Sequence, residues 1–391
     1  MIGIINRRFF TKLYTWGNSP SSLGHEKSAT TTSISLPKLL DFSEPVKKCV
    51  LGPNHSAILT ESGEVYTFGN GKYGALGHNS EDKISHPKKI EGLLKQDMKA
   101  VDIAVGNFHT VIATDEGDVL TMGYGGELSG GLIRNFFSQK GGGLGHGDLE
   151  NRFVPTVVQS FRESGEKIVS VAAGAYHTLA SSTAGFVYSW GKGEMGVLGT
   201  GKNKTYLNPI LIPLFKMLKE KEMKVKKMQS YNYSNIVLLD NGKITCWGWN
   251  EVGQLGLGNY VRADMYDTES KPTEPEFFSE LKVKDFELGE DASIFLTEDN
   301  KVYFAGIRLH REPKELTVPQ GSTVKKIFVC KKVGGFITDD NKVYANGNLF
   351  NSKYMEEDVD LRMWKVKNSA FNDLVVEEIG GGSGNHYCLL R

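Results

Sequence analysis

The chain has 391 residues, with 46 basic and 46 acidic side chains and no net formal charge. A surface that wraps nucleic acid draws on a basic excess, so this balance argues against that class. No run is long and apolar enough to cross a membrane as a helix.

Residues 1–12 carry Arg7, Arg8 and Lys12, and no acid precedes Glu26. That composition suits a short amphipathic mitochondrial presequence, with Arg7-Arg8-Phe9-Phe10 as a processing site whose cut spares the first strand. The plainer alternative is a basic starting tail. Residues 13–391 read as one repeat domain. It opens with Leu13-Tyr14-Thr15-Trp16-Gly17, the second half of a unit without its first half. Gly17 to Leu40 is the return segment of that unit, with a worn Gly-x-Leu-Gly element ending at Leu23-Gly24.

The first full unit is Val46–Gly77. Val46 to Leu51 reads as a strand, Gly52 and His55 mark a turn, and an apolar run reaches Leu59. After a Gly63 turn come Val65 to Phe68, the closing Gly69, and Gly74-Ala75-Leu76-Gly77. Two apolar runs around a Gly-bearing turn read as a β-hairpin. Further copies follow with Gly106, His109 and Gly123, with Gly174, His177 and Gly191, and then with Tyr231, Trp247 and Gly248. Two more run from Gly289 to Gly306 and from Cys330 to Gly347. Marker and closing residue are 17 apart in all six copies: 52 to 69, 106 to 123, 174 to 191, 231 to 248, 289 to 306 and 330 to 347. Closing glycines are 41 to 68 residues apart, so the connecting segments absorb insertions, which chain entropy tolerates because closure cost grows only logarithmically. The chain ends with Ile379 to Leu390, containing His386, a first half without its second. Joined, the two ends make a seventh unit.

Repeats of this period indicate a propeller, and a blade shared by both termini closes the ring without exposed sheet edges. Four strands per blade follow if Pro37, Pro87, Pro155, Pro209 and Pro313 each start an outer strand, where the missing N–H is tolerated. The expected fold is all-β, a seven-bladed propeller with rim loop insertions. The pattern Gly-x-x-His, then an aromatic-Gly, then Gly-x-Leu-Gly resembles the regulator of chromosome condensation repeat, over essentially Leu13 to Arg391. The resemblance implies a seven-bladed propeller. It leaves function open, because the family spans nucleotide exchange factors, ubiquitin ligase modules, ciliary proteins and mitochondrial assembly factors.

The aromatic residues before the closing glycines, Trp16, Phe68, Trp190 and Trp247, are expected between blades. His55, His109, His177 and His386 occupy equivalent places in different blades, so they read as hydrogen bonds to neighbouring turns rather than as ligands of one metal ion. Ser234, Ala292 and Val333 replace them in three copies. Cys49, Cys246, Cys330 and Cys388 show no Cys-x-x-Cys pairing and read as buried structural thiols.

Four insertions interrupt the repeat. Tyr124–Gly143 has an apolar and basic tip, Leu132, Ile133, Arg134, Phe136 and Phe137, the expected partner-binding loop. A fold of this loop back onto the rim is the alternative. Leu214–Lys227 reads as a short basic helix with a solvated face. Asn259–Leu281 is acidic and Pro-broken. Asn351–Asp373 holds Met355 and Trp364. No nucleophile constellation, phosphate loop or metal spacing is present, and Gly141-Gly-Gly143 and Gly380-Gly-Gly382 lack the Lys-Ser/Thr of a P-loop.

The expected function is therefore non-enzymatic and without a cofactor. It is a propeller scaffold in a mitochondrial assembly: the ribosome, a respiratory-chain complex or their assembly machinery. The alternative is a guanine-nucleotide exchange factor for a small GTPase. A chromatin or RNA binder is disfavoured by charge, and cytoplasmic or nuclear residence is the alternative location.

Overall fold

The computed structural model describes residues 12–26, 33–94, 98–128, 139–220, 222–258, 267–308, 310–330, 332–347, 349, 363–367, 371, 374–382 and 384–390. Short apolar runs separated by Gly- and Asn-bearing turns form strands that pair antiparallel in seven four-stranded sheets. Blade 1 starts at Val46, blade 2 at Ala100, blade 3 at Ile168, blade 4 at Val225, blade 5 at Val283 and blade 6 at Val324. Blade 7 joins the termini: Lys12–Gly17 pairs with Asn385–Leu390, and these are flanked by Ile34–Leu39 and Val376–Gly382. The expected closure by both chain ends is the one observed.

The first strand of each blade lines an axial channel of about 490 Å³. The second strands are buried from end to end where their side chains pack both neighbouring blades, as in His55–Thr60 and Ala292–Thr297. The apolar core is correspondingly divided. Seven clusters occupy the seven junctions; Ala57, Leu59 and Val65 of blade 1, for example, pack on Ile103, Ile112 and Leu120 of blade 2. Trp16, Phe68, Trp190 and Trp247 are each at most 1% exposed and sit in these junctions as expected. The four cysteines are buried and unbridged.

The closing glycines are fixed by backbone geometry. Gly69 has φ 113°, and an added Cβ would lie 2.6 Å from the Cα of His55, its partner across the strand pair. Gly123, Gly191, Gly248 and Gly306 repeat this with φ between 102° and 117°. Only glycine meets both demands.

Several expected boundaries move. The outer-strand prolines lie inside their strands, at a β-bulge that breaks the ladder opposite the closing glycine. The irregular register, rather than the strand start, removes the need for an N–H. Pro272 supplies a sixth such site. Two expected insertions contain blade structure. Thr268–Thr273 is the outer strand of blade 4, followed by a short helix that buries Phe278, and Trp364–Lys365 is the outer strand of blade 6. Leu214–Lys227 overlaps the helix Pro213–Glu220, whose Phe215 is fully buried while Met217 is exposed, and its end is already the inner strand of blade 4. Charge density had masked the apolar anchors.

The inner strands carry a ring of charge at their third residues: Lys48, Asp102, Ser170, Lys227, Asp285, Lys326 and Glu378. Lys48 meets Asp102 at 2.6 Å, Lys227 meets Asp285 at 2.7 Å, and Lys326 meets Glu378 at 3.0 Å. Seven positions cannot alternate in sign. Ser170 is the neutral member, and its hydroxyl donates to Asp102 at 2.8 Å. Placing a second carboxylate there sets like charges together. Ser170→Asp should destabilise the fold by about 1–3 kcal/mol in urea unfolding, with partial recovery at high salt. Unchanged stability would show that the ring is not electrostatically coupled.

Candidate partner-docking face

The turns after the inner strands and the connections after the third strands emerge at one end of the ring, here the histidine face. Its geometry starts with the Gly-x-x-His turn. A Cβ on Gly106 would meet the His109 ring at 2.2 Å, and one on Gly174 would meet the His177 ring at 2.0 Å. Glycine is thus required because the imidazole lies against its own turn. From there each ring reaches the next blade rather than a neighbouring turn. His55 Nε2 lies 2.8 Å from Thr110 Oγ1, His109 Nε2 lies 3.1 Å from Thr178 Oγ1, and His177 Nε2 lies 2.8 Å from Asn235 Oδ1.

The partners fix the tautomers. The Thr110 hydroxyl donates to the Ala75 carbonyl at 2.8 Å, and Thr178 donates to the Gly143 carbonyl at 2.8 Å. Their protons are spent, so His55 and His109 must each donate from Nε2. Asn235 Oδ1 can only accept, so His177 does the same. Burial holds all three neutral: their pKa values fall to about 4, 3 and 4 for His55, His109 and His177. His386 stacks tilted against Trp16 at 5.5 Å. His146 Nε2 lies 2.9 Å from Thr121 Oγ1 and is likewise held neutral. Among the described residues no group of His, Cys, Asp and Glu is arranged to hold a metal ion.

On this frame the face carries half-buried aromatic rings. Phe108 and Tyr176 directly precede the turn histidines, and Tyr233 precedes Ser234. Tyr73 lies in the connection of blade 1 with φ 63°. It contacts Phe108 edge-on at 5.5 Å and Tyr124 at 4.7 Å, and Tyr124 faces Tyr176 at 6.5 Å. Lys72 and Lys192 sit over the Tyr73 and Tyr176 rings at 4.7 and 5.7 Å. The cluster crosses blades 1 to 3. Blade 5 places Asp291 at the equivalent turn position, so the aromatic character belongs to one side of the face.

The first insertion leaves this cluster at Tyr124. Its stem is a two-stranded ladder pairing Glu127–Leu128 with Gln139–Lys140. Leu132, Ile133, Arg134, Phe136 and Phe137 lie outside the described residues. The repeat glycines and histidines are brought together as an internal frame, and Trp247 donates from its indole nitrogen to the Val197 carbonyl at 2.8 Å. Sequence reading missed the aromatic cluster. Its signal was an aromatic residue one place before the marker His or Ser in three consecutive copies.

A family model of the RCC1-like domain matches residues 12–388. The chain is 28% identical over 296 residues to the ultraviolet-B receptor UVR8 of Arabidopsis thaliana, covering 75% of this chain and 60% of the receptor. It is 29% identical over 303 residues to the human E3 ubiquitin-protein ligase HERC2, covering 75% of this chain and 6% of the ligase. It is 27% identical over 297 residues to RUG3, a mitochondrial RCC1 domain-containing protein of Arabidopsis thaliana, covering 75% of this chain and 61% of RUG3. The chain thus spans less than two thirds of each of these relatives. Among solved structures, Prp20p of Saccharomyces cerevisiae superposes with TM-score 0.77 at 20% identity, over 98% of this chain and 92% of that one. Human WBSCR16 superposes with TM-score 0.73 at 17% identity, over 97% and 99%. At these identities the superpositions establish the fold.

Thr110→Val keeps shape but strands the His55 N–H and the Ala75 carbonyl, and should lower unfolding free energy by about 2 kcal/mol in urea titration. A loss under about 0.5 kcal/mol would show that the hydrogen bonds from His55 through Thr110 to Ala75 do not stabilise the ring. Acid should act on the same frame. Above an unfolded pKa of about 6.5 both states hold neutral histidine and stability is complete. Below it the unfolded chain binds protons that His55, His109 and His177 refuse. Stability should therefore fall as pH drops from about 6.5 towards the folded values, at up to about 1.4 kcal/mol per pH unit for each histidine. The melting temperature of His109→Gln should depend less steeply on pH over that window; an identical slope would exclude His109 as a contributor.

Proposed function

Because the chain belongs to the RCC1-like domain family, we propose that it is a non-enzymatic scaffold that presents a rigid ring to a protein partner within a mitochondrial assembly. The observation that carries this reading is the place of the first insertion. Its paired stem rises from the aromatic side of the histidine face, beside Tyr124. Aromatic side chains offer large contact area at low entropic cost, and a segment held at its base by a rigid blade presents its tip without moving the scaffold. The contact residues proposed are Leu132, Ile133, Arg134, Phe136 and Phe137. The frame beneath is filled with committed hydrogen bonds, and its histidines are neutral and spent as donors, which suits support rather than proton transfer.

Mitochondrial residence rests on the basic, acid-free residues 1–12 as a targeting segment ahead of a 13–391 propeller, and on the likeness to RUG3. A ribosome, a respiratory-chain complex or their assembly machinery is the proposed setting. Exchange of guanine nucleotide on a small GTPase is the second reading. The paired stem favours it, since a wedge projecting from one blade is how the exchange-factor branch of the family acts, and Prp20p is described with Gsp1p and histones.

Replacing Leu132–Phe137 by Gly and Ser should leave the melting temperature nearly unchanged and weaken capture of the partner from a mitochondrial fraction, read by mass spectrometry. Unfolding of the variant would make the tip part of the core and overturn the proposal. Accelerated nucleotide release from one captured GTPase, lost in the variant, would transfer the function to exchange.

A further inference from the structure

The opposite end of the ring, where the inner strands begin, carries a different pattern. All seven inner strands break register at their second residue, between Val46 and Lys48, Ala100 and Asp102, Ile168 and Ser170, Val225 and Lys227, Val283 and Asp285, Val324 and Lys326, and Val376 and Glu378. A β-bulge frees its extra residue from the ladder and re-aims its side chain. The bulged residues are Lys47, Val101, Val169, Lys226, Lys284, Lys325 and Glu377. Val169 is 46% exposed. Immediately before four of these strands stand Lys99, Lys167, Lys224 and Lys282, all exposed. Exposed turn acids Asp115, Asp240 and Glu298 stand beside Lys99, Lys224 and Lys282, so the four bulged lysines, Lys47, Lys226, Lys284 and Lys325, are the basic positions nearest the mouth of the channel.

Direct ion pairing at these eight lysines is sparse. Lys325 meets Glu377 at 3.5 Å. No carboxylate of a described residue lies within ion-pair distance of the other seven. Lys47 and Lys226 instead donate to the carbonyls of Val101 and Lys284 on the next blade, at 3.1 and 2.9 Å. The nearby turn carboxylates Asp115 and Asp240 accept backbone N–H groups of Lys99 and Lys224. The acids one position deeper, Asp102, Asp285 and Glu378, are paired with Lys48, Lys227 and Lys326.

We propose that this lysine rim is a second docking surface, for an acidic polypeptide segment that also carries aliphatic side chains and lies across the channel mouth. Charge complementarity selects the acid. The bulged positions themselves are lysine, valine and one glutamate; they carry neither the arginine forks that read phosphate nor the aromatic platforms on which unpaired bases stack. Val101 and Val169 offer apolar contact between the charges. A channel of about 490 Å³ admits an extended chain or a few side chains and excludes a duplex. This surface is independent of the insertion on the histidine face, so a partner could be held at each end of the ring.

The test uses the full-length protein and fluorescence anisotropy, with a short labelled peptide of alternating Glu and Leu as probe. A peptide with Lys in place of Glu and a single-stranded RNA of equal length serve as comparators. The acidic peptide should bind tightest, with affinity that falls as salt rises. The double variant Lys226→Glu, Lys284→Glu should weaken it roughly tenfold or more, whereas Lys83→Glu on the histidine face should leave it unchanged. Tighter binding of RNA, or peptide binding untouched by the double reversal, overturns the proposal. If the reversal lowers the melting temperature, Lys226→Gln with Lys284→Gln replaces it, and the same outcomes apply. The Gly/Ser replacement of Leu132–Phe137 should not alter peptide binding, which separates this surface from the insertion.

Discussion

The structure depends on how one buried carbonyl per junction finds a donor. In each Gly-x-Leu-Gly loop the chain doubles back beneath the histidine face and turns two successive carbonyls inwards. The Leu carbonyl is met from within the blade: Thr15 donates to Leu23, Thr67 to Leu76, Thr121 to Leu144 and Ser189 to Leu198, each at 2.7 Å. The carbonyl before it is met from the next blade. Ser56 donates to Ser22, Thr110 to Ala75, Thr178 to Gly143, Asn235 to Val197 and Ser293 to Gln254, at 2.6 to 3.0 Å. A carbonyl buried without a partner costs about 1–3 kcal/mol, so a blade cannot complete its own loop without its neighbour. The histidine is the next element outward: it donates to the same hydroxyl in blades 1 and 2 and holds it in place.

This dependence explains where the repeat wears. The connections after Gly306 and Gly347 lack Gly-x-Leu-Gly in sequence. The corresponding donor positions are Gly334 and Tyr387. At Gly334 an added Cβ would lie 2.7 Å from Phe304, so an aromatic contact has taken the place of the hydrogen bond. At Tyr387 the side-chain hydroxyl donates instead to Glu378 at 2.7 Å. Leu349 nevertheless keeps one inward carbonyl, which accepts from the Trp16 indole at 3.0 Å, as Gly143 and Val197 accept from Trp190 and Trp247, and ties blade 6 to the closing blade.

The spacing of 17 residues made the ring, its blade count and its closure legible, because inner strand, turn and hairpin are fixed by pairing and cannot absorb an insertion. Legibility failed where the determinant was a partner in another blade. Nothing near Thr110 in sequence announces Ala75 or His55. Only the superposition of copies shows that the residue after the marker histidine is Ser, Thr or Asn wherever the preceding loop is intact. It failed again for outer strands, whose prolines and charges resemble loops until the bulge register is known. The candidate docking surface was half legible. The insertion at Tyr124–Gly143 stands out from the repeat, whereas Tyr73, Phe108 and Tyr176 become a cluster only when adjacent blades bring them together.

The odd number of blades has a further consequence. Charges of one sign at equivalent positions would repel around the channel, and strict alternation needs an even ring. The third residues of the inner strands resolve this with three paired junctions and Ser170 as the neutral member, so those charges are consumed internally. One residue earlier the bulge releases the side chain from that requirement, and four of the seven positions there are lysine. Neutral total charge therefore conceals a division of labour. The ladder positions spend their charge on holding blades together, the bulged positions keep theirs at the channel mouth, and the aromatic residues gather at the opposite end. A ring this strongly cross-tied between neighbours can vary its loops at both ends without changing the frame that holds them.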